Sequence, residues 1–486
     1  METLETTLKP ESALADRDIT AAVERLFARK KGVATHLVDV STRQGIVTLC
    51  GYVDNLLARE RAEEIAKAVR GVRGVINEIG VRAIDLPDAT LRRDVEEALL
   101  QDAVTSEYEI CCTAREGTVM LLGEVPSWPE KELVLRVAKG VRGVCAVDDH
   151  LRYRLVDQRP PKSAAEISAE LDELLGWDVR INHALIEVRA DGQGRVVLGG
   201  TVASAAERSH AITAAWRAGA SSVDAAELRV APDAHGHELR GDKYRARTDA
   251  EIRQAIEDSL LTDPRVRANA AEIEVEQGQV TLRGSVSNLR ACRAAEQDAL
   301  GIVGVAAVSN YLRVRPVRPT ADAEIQRRTR AALLRDAYLH RGAVEVVVGN
   351  GKVSLYGTVD SQFEKQHAEQ VAAGISGVIA VDNRLVVPAW ATTPDGEYFA
   401  CNVAYSQPLP GQPPTDEAIE QAIRQQLDWT PGLSQQDIRV GVAKGRATLT
   451  GTVDTRQEQQ LATLCAYDGG AHAVANQLHV RHGAAR

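Results

Sequence analysis

QGIVTLCGYV, residues 44–53, returns five more times in recognisable form: EGTVMLLGEV (116–125), QGRVVLGGTV (193–202), QGQVTLRGSV (277–286), NGKVSLYGTV (350–359) and KGRATLTGTV (444–453). Each copy has a turn glycine, alternating apolar residues, a second glycine six positions on, and an apolar residue two further. A hairpin turn feeding a half-buried strand produces this pattern. The turn glycines are Gly45, Gly117, Gly194, Gly278, Gly351 and Gly445, and the strand glycines are Gly51, Gly123, Gly200, Gly284, Gly357 and Gly451.

Upstream of each turn lies an apolar stripe at i, i+4, i+8, the signature of an amphipathic helix. It reads Ile19, Val23, Phe27 in the first unit, and Ile167, Leu171, Leu175 in the third, shifted by one residue because the DGQG turn is longer. In the fifth unit Thr329 interrupts it, which predicts slightly weaker packing there. A period-two run such as Val344, Val346, Val348 predicts a first strand, and the quoted motif supplies the second. Downstream, apolar residues such as Ala62, Ile65, Ala66 and Val69 mark a second helix. A glycine on the inward face of a strand packs nothing, so the strand glycines predict a close crossing by this alanine-rich helix. Two departures predict less stable units: Asp298 in the fourth, unless it sits at the wet edge of the stripe, and Gly469 in the sixth. The second helix ends at a glycine such as Gly71 or Gly143, where a left-handed cap is expected. A third strand follows, with Asn77, Asn310, Asn383 or Asn476 near its start.

The expected fold class is therefore α+β: six tandem α-β-β-α-β modules, each a three-stranded mixed sheet with two helices on one face. The modules span 14–83, 88–155, 162–231, 247–315, 320–388 and 414–482, with an insert rich in Pro and aromatic residues at 389–413. Turn glycines are separated by 72, 77, 84, 73 and 94 residues. A regular solenoid would hold this interval constant, so the spacing predicts a string of folded beads on unequal linkers. The aromatic residues of the 388–418 stretch predict that it packs on a module or a partner.

The module order, the G-x-V-x-L-x-G-x-V strand and the G-V-x-x-V-x-N ending resemble the BON domain, named for bacterial osmotically induced and nodulation proteins. The resemblance covers nearly the whole chain in six copies. It implies a bacterial protein without known catalytic activity, with roles in envelope maintenance, phospholipid contact or osmotic stress. Many members of that family are exported. A cytoplasmic branch that joins a BON domain to a LysM domain binds potassium, and no LysM segment is seen here.

Composition narrows the function. Hydrophobic residues make up 44%, yet there are only three Phe, ten Tyr and five Trp, so few aromatic platforms exist for stacking bases. A net charge of −10 disfavours nucleic acid as a partner. The first 18 residues hold no apolar signal region and no run reaches the length of a membrane span, which predicts a cytoplasmic chain, at most peripheral to a membrane. Seven cysteines without regular spacing fit reduced thiols. No P-loop, nucleophile elbow, HExxH or paired CxxC is present, so no enzyme, cofactor or metal is expected. His235 and His237 lie in an insert with no second ligand pair nearby.

Two surfaces stand out. Arg313, Arg315, Arg318, Arg327, Arg328, Arg330 and Arg335 fall within 23 residues at the junction of modules 4 and 5, a candidate site for anionic phospholipid or an acidic partner. The outward sheet positions of modules 1 and 2 carry Ile46, Cys50, Tyr52, Met120 and Leu122 where modules 4 and 6 carry polar residues. This predicts that the two sheets are covered, by each other or by another chain. The leading expectation is a multivalent, self-associating assembly scaffold. The alternatives are a peripheral phospholipid binder and a cytoplasmic potassium or osmotic-stress sensor.

Overall fold

A computed structural model describes residues 14–29, 37–82, 86–153, 162–231, 247–263, 265–266, 271–316, 319–339, 344–387, 414–434 and 436–481. The insert at 389–413, Arg318, His235 and His237 lie outside the described residues. Six modules are present, each in the order helix, strand, strand, helix, strand. In module 1 the central strand Ile46–Val53 pairs antiparallel with Val38–Arg43 and parallel with Gly74–Val81. Module 3 differs: its third strand is split into Ser222–Asp224 and Leu228–Val230, both parallel to Arg195–Val202. One extra residue between Val223 and Leu228 breaks the pleat there, and the Asp224 carboxylate accepts the Ala226 amide at 3.1 Å.

The predicted stripes form the cores. Val23, Val47, Leu49 and Ala62 are fully buried in module 1, as are Leu171, Val196 and Leu198 in module 3. Burying a Val or Leu side chain stabilises by about 1.5–3 kcal/mol, so each module holds together chiefly on about a dozen aliphatic residues, with Phe27 the one aromatic among the buried core residues described. Thr329 is completely buried.

Except in module 3, whose turn is longer, the hairpin turns are two-residue turns with both central residues left-handed, as in Gln44 (φ 53°) and Gly45 (φ 75°). An aspartate at the start of the first helix holds each of them. Asp16 accepts the Gln44 and Gly45 amides at 2.7 and 2.9 Å, and Asp249, Asp322 and Asp416 do the same in modules 4, 5 and 6. Asp88 accepts Glu116 N–H at 2.9 Å in module 2. Each aspartate precedes its turn glycine by 29 residues, a spacing visible in the sequence.

The strand glycines serve a purpose other than a helix crossing. Gly51 has φ 114°, and a Cβ on it would lie 1.9 Å from the carbonyl oxygen of Leu37, the residue that leads into the neighbouring strand. Gly200 and Gly451 meet Leu185 and Asp437 in the same way. The glycine thus answers a backbone approach between paired strands, with a conformation open to few other residues. Gly469 similarly serves close packing, since a Cβ there would meet Ile423 of the module's first helix. The strand asparagines clamp the second helix: Asn77 Nδ2 donates to the Arg59 carbonyl at 3.1 Å and its Oδ1 accepts Ile79 N–H at 3.2 Å.

Candidate functional site

The modules do not hang as separate beads. Four first helices, Asp88–Gln101, Ala164–Trp177, Asp249–Thr262 and Asp322–Arg335, end on an aspartate in extended conformation: Asp102, Asp178, Asp263 and Asp336. Its Oδ1 accepts the amide two residues on, from Val104, Arg180, Arg265 and Tyr338 at 2.7–3.0 Å. This Asx turn leaves the intervening amide for another partner.

That partner is the end of a second helix in another module. Ala103 N–H donates to the Gly374 carbonyl at 3.0 Å and Ser376 N–H returns to Gln101 at 3.2 Å. The reciprocal contact joins Ala337 to Gly140 at 3.1 Å and Arg142 to Arg335 at 2.8 Å, so modules 2 and 5 exchange both ends. Modules 3 and 4 exchange one end, through Val179 to Gly301 and Val303 to Trp177, both 3.0 Å. Modules 1 and 6 share a bond from Arg70 N–H to Trp429 at 3.0 Å.

Residue chemistry explains the incomplete pairs. The residue after Asp263 is Pro264, and Pro431 follows Thr430, so neither position carries an amide hydrogen to give. Modules 3 and 6 also run 19 residues from strand glycine to second-helix glycine, against 20 in the other four. The missing residue belongs to the segment that makes the exchange.

A second relation links modules within the sets 1, 2, 3 and 4, 5, 6. Leu57, Arg290 and Gln457, each six residues after the strand glycine, lie over Gly140, Gly374 and Gly301, each seventeen residues after theirs. The start of a second helix thus docks on the end of another, module 1 on 2, 4 on 5 and 6 on 4. Trp128 stacks on Trp216 at 6.3 Å between modules 2 and 3, and Ala205 of module 3 enters the core of module 1. The relations are those of a trimer of dimers built in one chain. These contacts come from helices and helix ends, and every outward side chain on the six central strands keeps some exposure.

The predicted surfaces are rearranged by this packing. Ile46, Tyr52 and Leu122 are 42–43% exposed, so the sheets of modules 1 and 2 do not cover each other. Met120 and Cys50 are half-buried, and the Cys50 thiol donates to Glu78 at 3.4 Å. The arginine cluster is not one positive face. Arg335 is only 10% exposed in an ion pair with Glu97 of module 2 and donates to Gln101 at 2.6 Å. Arg327 and Arg328 both bind Glu324, whose carboxyl their hydrogen bonds pull down to about 2. Arg313, Arg315 and Arg330 remain exposed.

A groove of about 1200 Å³ opens between modules 2, 3, 4 and 6, larger than the roughly 300–1,000 Å³ of ordinary small-molecule pockets. On its wall Arg180 forks onto Asp178 at 2.6 and 2.9 Å. Arg265 holds Asp263 and reaches Asp298 at 3.4 Å. Burial works against Asp263, but the hydrogen bonds from Arg265 hold its carboxyl below the usual range. Burial and then the Asp263 charge push Asp298 well above it, which favours its protonated form beside the Asp263 carboxylate. The Asp298 side chain is 12% exposed, on the groove wall and not at an open edge of the module. Burial, and then Arg180, pull His210 down to about 4. No local pattern marks this cluster, because its members come from both helices of two modules. Among the described residues no group of three or more His, Cys, Asp and Glu could hold a metal ion, and no helix is long and apolar enough to cross a membrane.

The BON domain family model matches residues 15–83, 87–154, 163–232, 248–316, 321–389 and 415–482. The chain belongs to the BON domain family. A similar protein is the "Osmotically-inducible protein Y" of Escherichia coli, 30% identical over 143 residues, which are 28% of this chain and 71% of that protein. An "Uncharacterized protein in gshII 5'region" of Anaplasma centrale is 28% identical over 130 residues, 24% of this chain and 82% of that one. Among solved structures, CdsD, a structural protein of the type III secretion system of Chlamydia trachomatis, aligns with 47% of this chain and 94% of its own, at 17% identity and a TM-score of 0.13.

Proposed function

We propose that this BON-repeat chain is a non-catalytic assembly scaffold of the osmotic or envelope stress response. The observation that carries the reading is the direction of the modules: the helices are spent on contacts within the chain, which leaves six sheets facing outward. Partners bound to different sheets are held at high effective concentration. The similarity to an osmotically inducible BON protein supports the stress setting.

The outward faces of modules 1 and 2 are the self-association surface in this reading. Ile46, Tyr52 and Leu122 are large apolar groups left exposed, and such groups gain by being covered. Light scattering over a concentration series tests it. The expected result is mass that rises with concentration in the wild type and stays at 52.5 kDa in a Tyr52→Asp, Leu122→Asp double variant. A wild type that is monomeric throughout removes self-association from the proposal.

A further inference from the structure

The trimer-of-dimers relation creates equivalent corners where the end of a first helix meets the end of a second helix. Three are closed by two backbone hydrogen bonds and one by a single bond. At the corner between the first helix of module 4 and the second helix of module 3, no backbone bond crosses among the described residues. Both sides have lost what the exchange needs: Pro264 has no amide hydrogen, and module 3 has the short spacing before Gly219. What joins the two sides is a side-chain bond from Arg217 to Thr262 Oγ1 at 3.2 Å, and the groove opens here.

We propose that the groove at this corner is a binding site for an organic polycation of the polyamine class, with Asp263 and Asp298 as its innermost acceptors. Eight carboxyl groups line the groove against five basic ones. Three of the basic side chains, Arg180, Arg265 and Lys162, are already held by carboxylates of the same wall. The lining therefore favours a positive guest over a phosphate or a nucleotide. The carboxylates are spread along the groove instead of converging on one point, which suits several ammonium groups on a chain better than one metal ion. Leu133 and Leu261, the latter 80% exposed, offer apolar surface to the methylenes between them. The indole of Trp177 faces the groove and already carries the Arg247 guanidinium 4.8 Å from its ring centre, so this wall accepts cations.

The carboxyl pair gives the site a chemical signature. Asp298 faces Asp263 and Arg265 from its own module and Arg217 from module 3. An ammonium group that reaches the pair takes the place of the shared proton: the Asp298 O–H bond breaks, the proton leaves to solvent, and the carboxylate accepts from the ammonium. The amine remains charged throughout.

Titration calorimetry of the full chain with spermidine, run in two buffers of different ionisation enthalpy, tests the proposal. The expected result is saturable binding with release of about one proton per spermidine, and binding about tenfold weaker without proton release in Asp298→Asn, whose amide mimics the protonated carboxyl. A second variant, Leu261→Asp, adds a carboxylate at the groove mouth without touching the pair and is expected to bind more tightly. Magnesium chloride at matched ionic strength must not reproduce the heat. No saturation below about 10 mM spermidine, or equal affinity and equal proton release in wild type and Asp298→Asn, overturns the assignment.

Discussion

The amide of Arg142 donates to the carbonyl of Arg335 at 2.8 Å, joining the second helix of module 2 to the first helix of module 5. The mirror contacts, Ala103 to Gly374 and Ser376 to Gln101, make this pair the one that exchanges both ends among the described residues. Hydrogen exchange of the full chain is therefore expected to show the amides of Ala103, Arg142, Ala337 and Ser376 protected longer than that of Arg70, whose pair holds a single bond. Asp336→Ala removes the carboxylate that shapes the turn and is expected to speed exchange at Ala337 and Arg142. Equal protection of all five amides would mean that the modules 2 and 5 pair is no firmer than the others.

Glycine substitutions separate a backbone role from simple lack of bulk. Gly51→Ala places a methyl 1.9 Å from the Leu37 oxygen at φ 114°, and a loss of about 3 kcal/mol or more is expected in denaturant unfolding. Gly74→Ala meets nothing within 4 Å and is expected to stay within about 0.5 kcal/mol of the wild type.

The aspartate that holds each hairpin makes a prediction specific to its position. Asp322 accepts the Asn350 and Gly351 amides at 2.7 and 2.8 Å. Asp322→Ala is expected to cost about 1–2 kcal/mol. Asp322→Asn keeps one acceptor oxygen and is expected to recover part of that loss. Identical melting curves for the wild type and the Ala variant would show that the turn holds itself.

Arginines close in sequence are expected to behave differently. Arg335→Ala leaves the buried Gln101 side-chain carbonyl without its donor and is expected to destabilise by about 1–3 kcal/mol, whereas Arg330→Ala, on an exposed face, is expected to be silent in melting temperature. Matching losses in the two variants would contradict the inward placement of Arg335.

Two groups of the groove set opposite pH slopes. Burial and Arg180 lower His210 from 6.5 to about 4, so its contribution is complete above pH 6.5 and is lost as pH falls towards 4, about 3 kcal/mol in all. His210→Gln is expected to flatten that part of the stability profile. Asp298 has a raised folded pKa, so the native state holds its proton more tightly than the unfolded chain and loses stability as pH rises through that pKa. Asp298→Asn is expected to match the wild type in acid and to exceed it at alkaline pH. Parallel profiles for the wild type and either variant would remove that group from the account.

Much of the fold is legible in local patterns. The stripe Ile19, Val23, Phe27 and the alternation Val47, Leu49, Val53 report directly on one face of one element, because burial alone decides them. What escapes a local reading is what acts across modules. The Asp16–Gly45 spacing and the 19- or 20-residue spans before Gly219 and Gly71 are written in the chain, but they gain meaning only beside the partner element. Arg335 and Asp298, 10% and 12% exposed, escape a local reading for the same reason: a charged residue on a helix reads as solvated until its neighbours in space are known. The strand glycine at 51 shows the converse limit, since its absent side chain is equally compatible with a crossing helix and a crowded strand.

Joining the six modules covalently changes what mutation can do to such an assembly. In a ring of identical subunits, any altered residue appears at every equivalent corner at once, so a proline that opens one would open all. Here the corner beside Pro264 carries no backbone bond among the described residues, while four others keep theirs. A cleft can thus be carved into one side of a symmetric architecture without the whole coming apart.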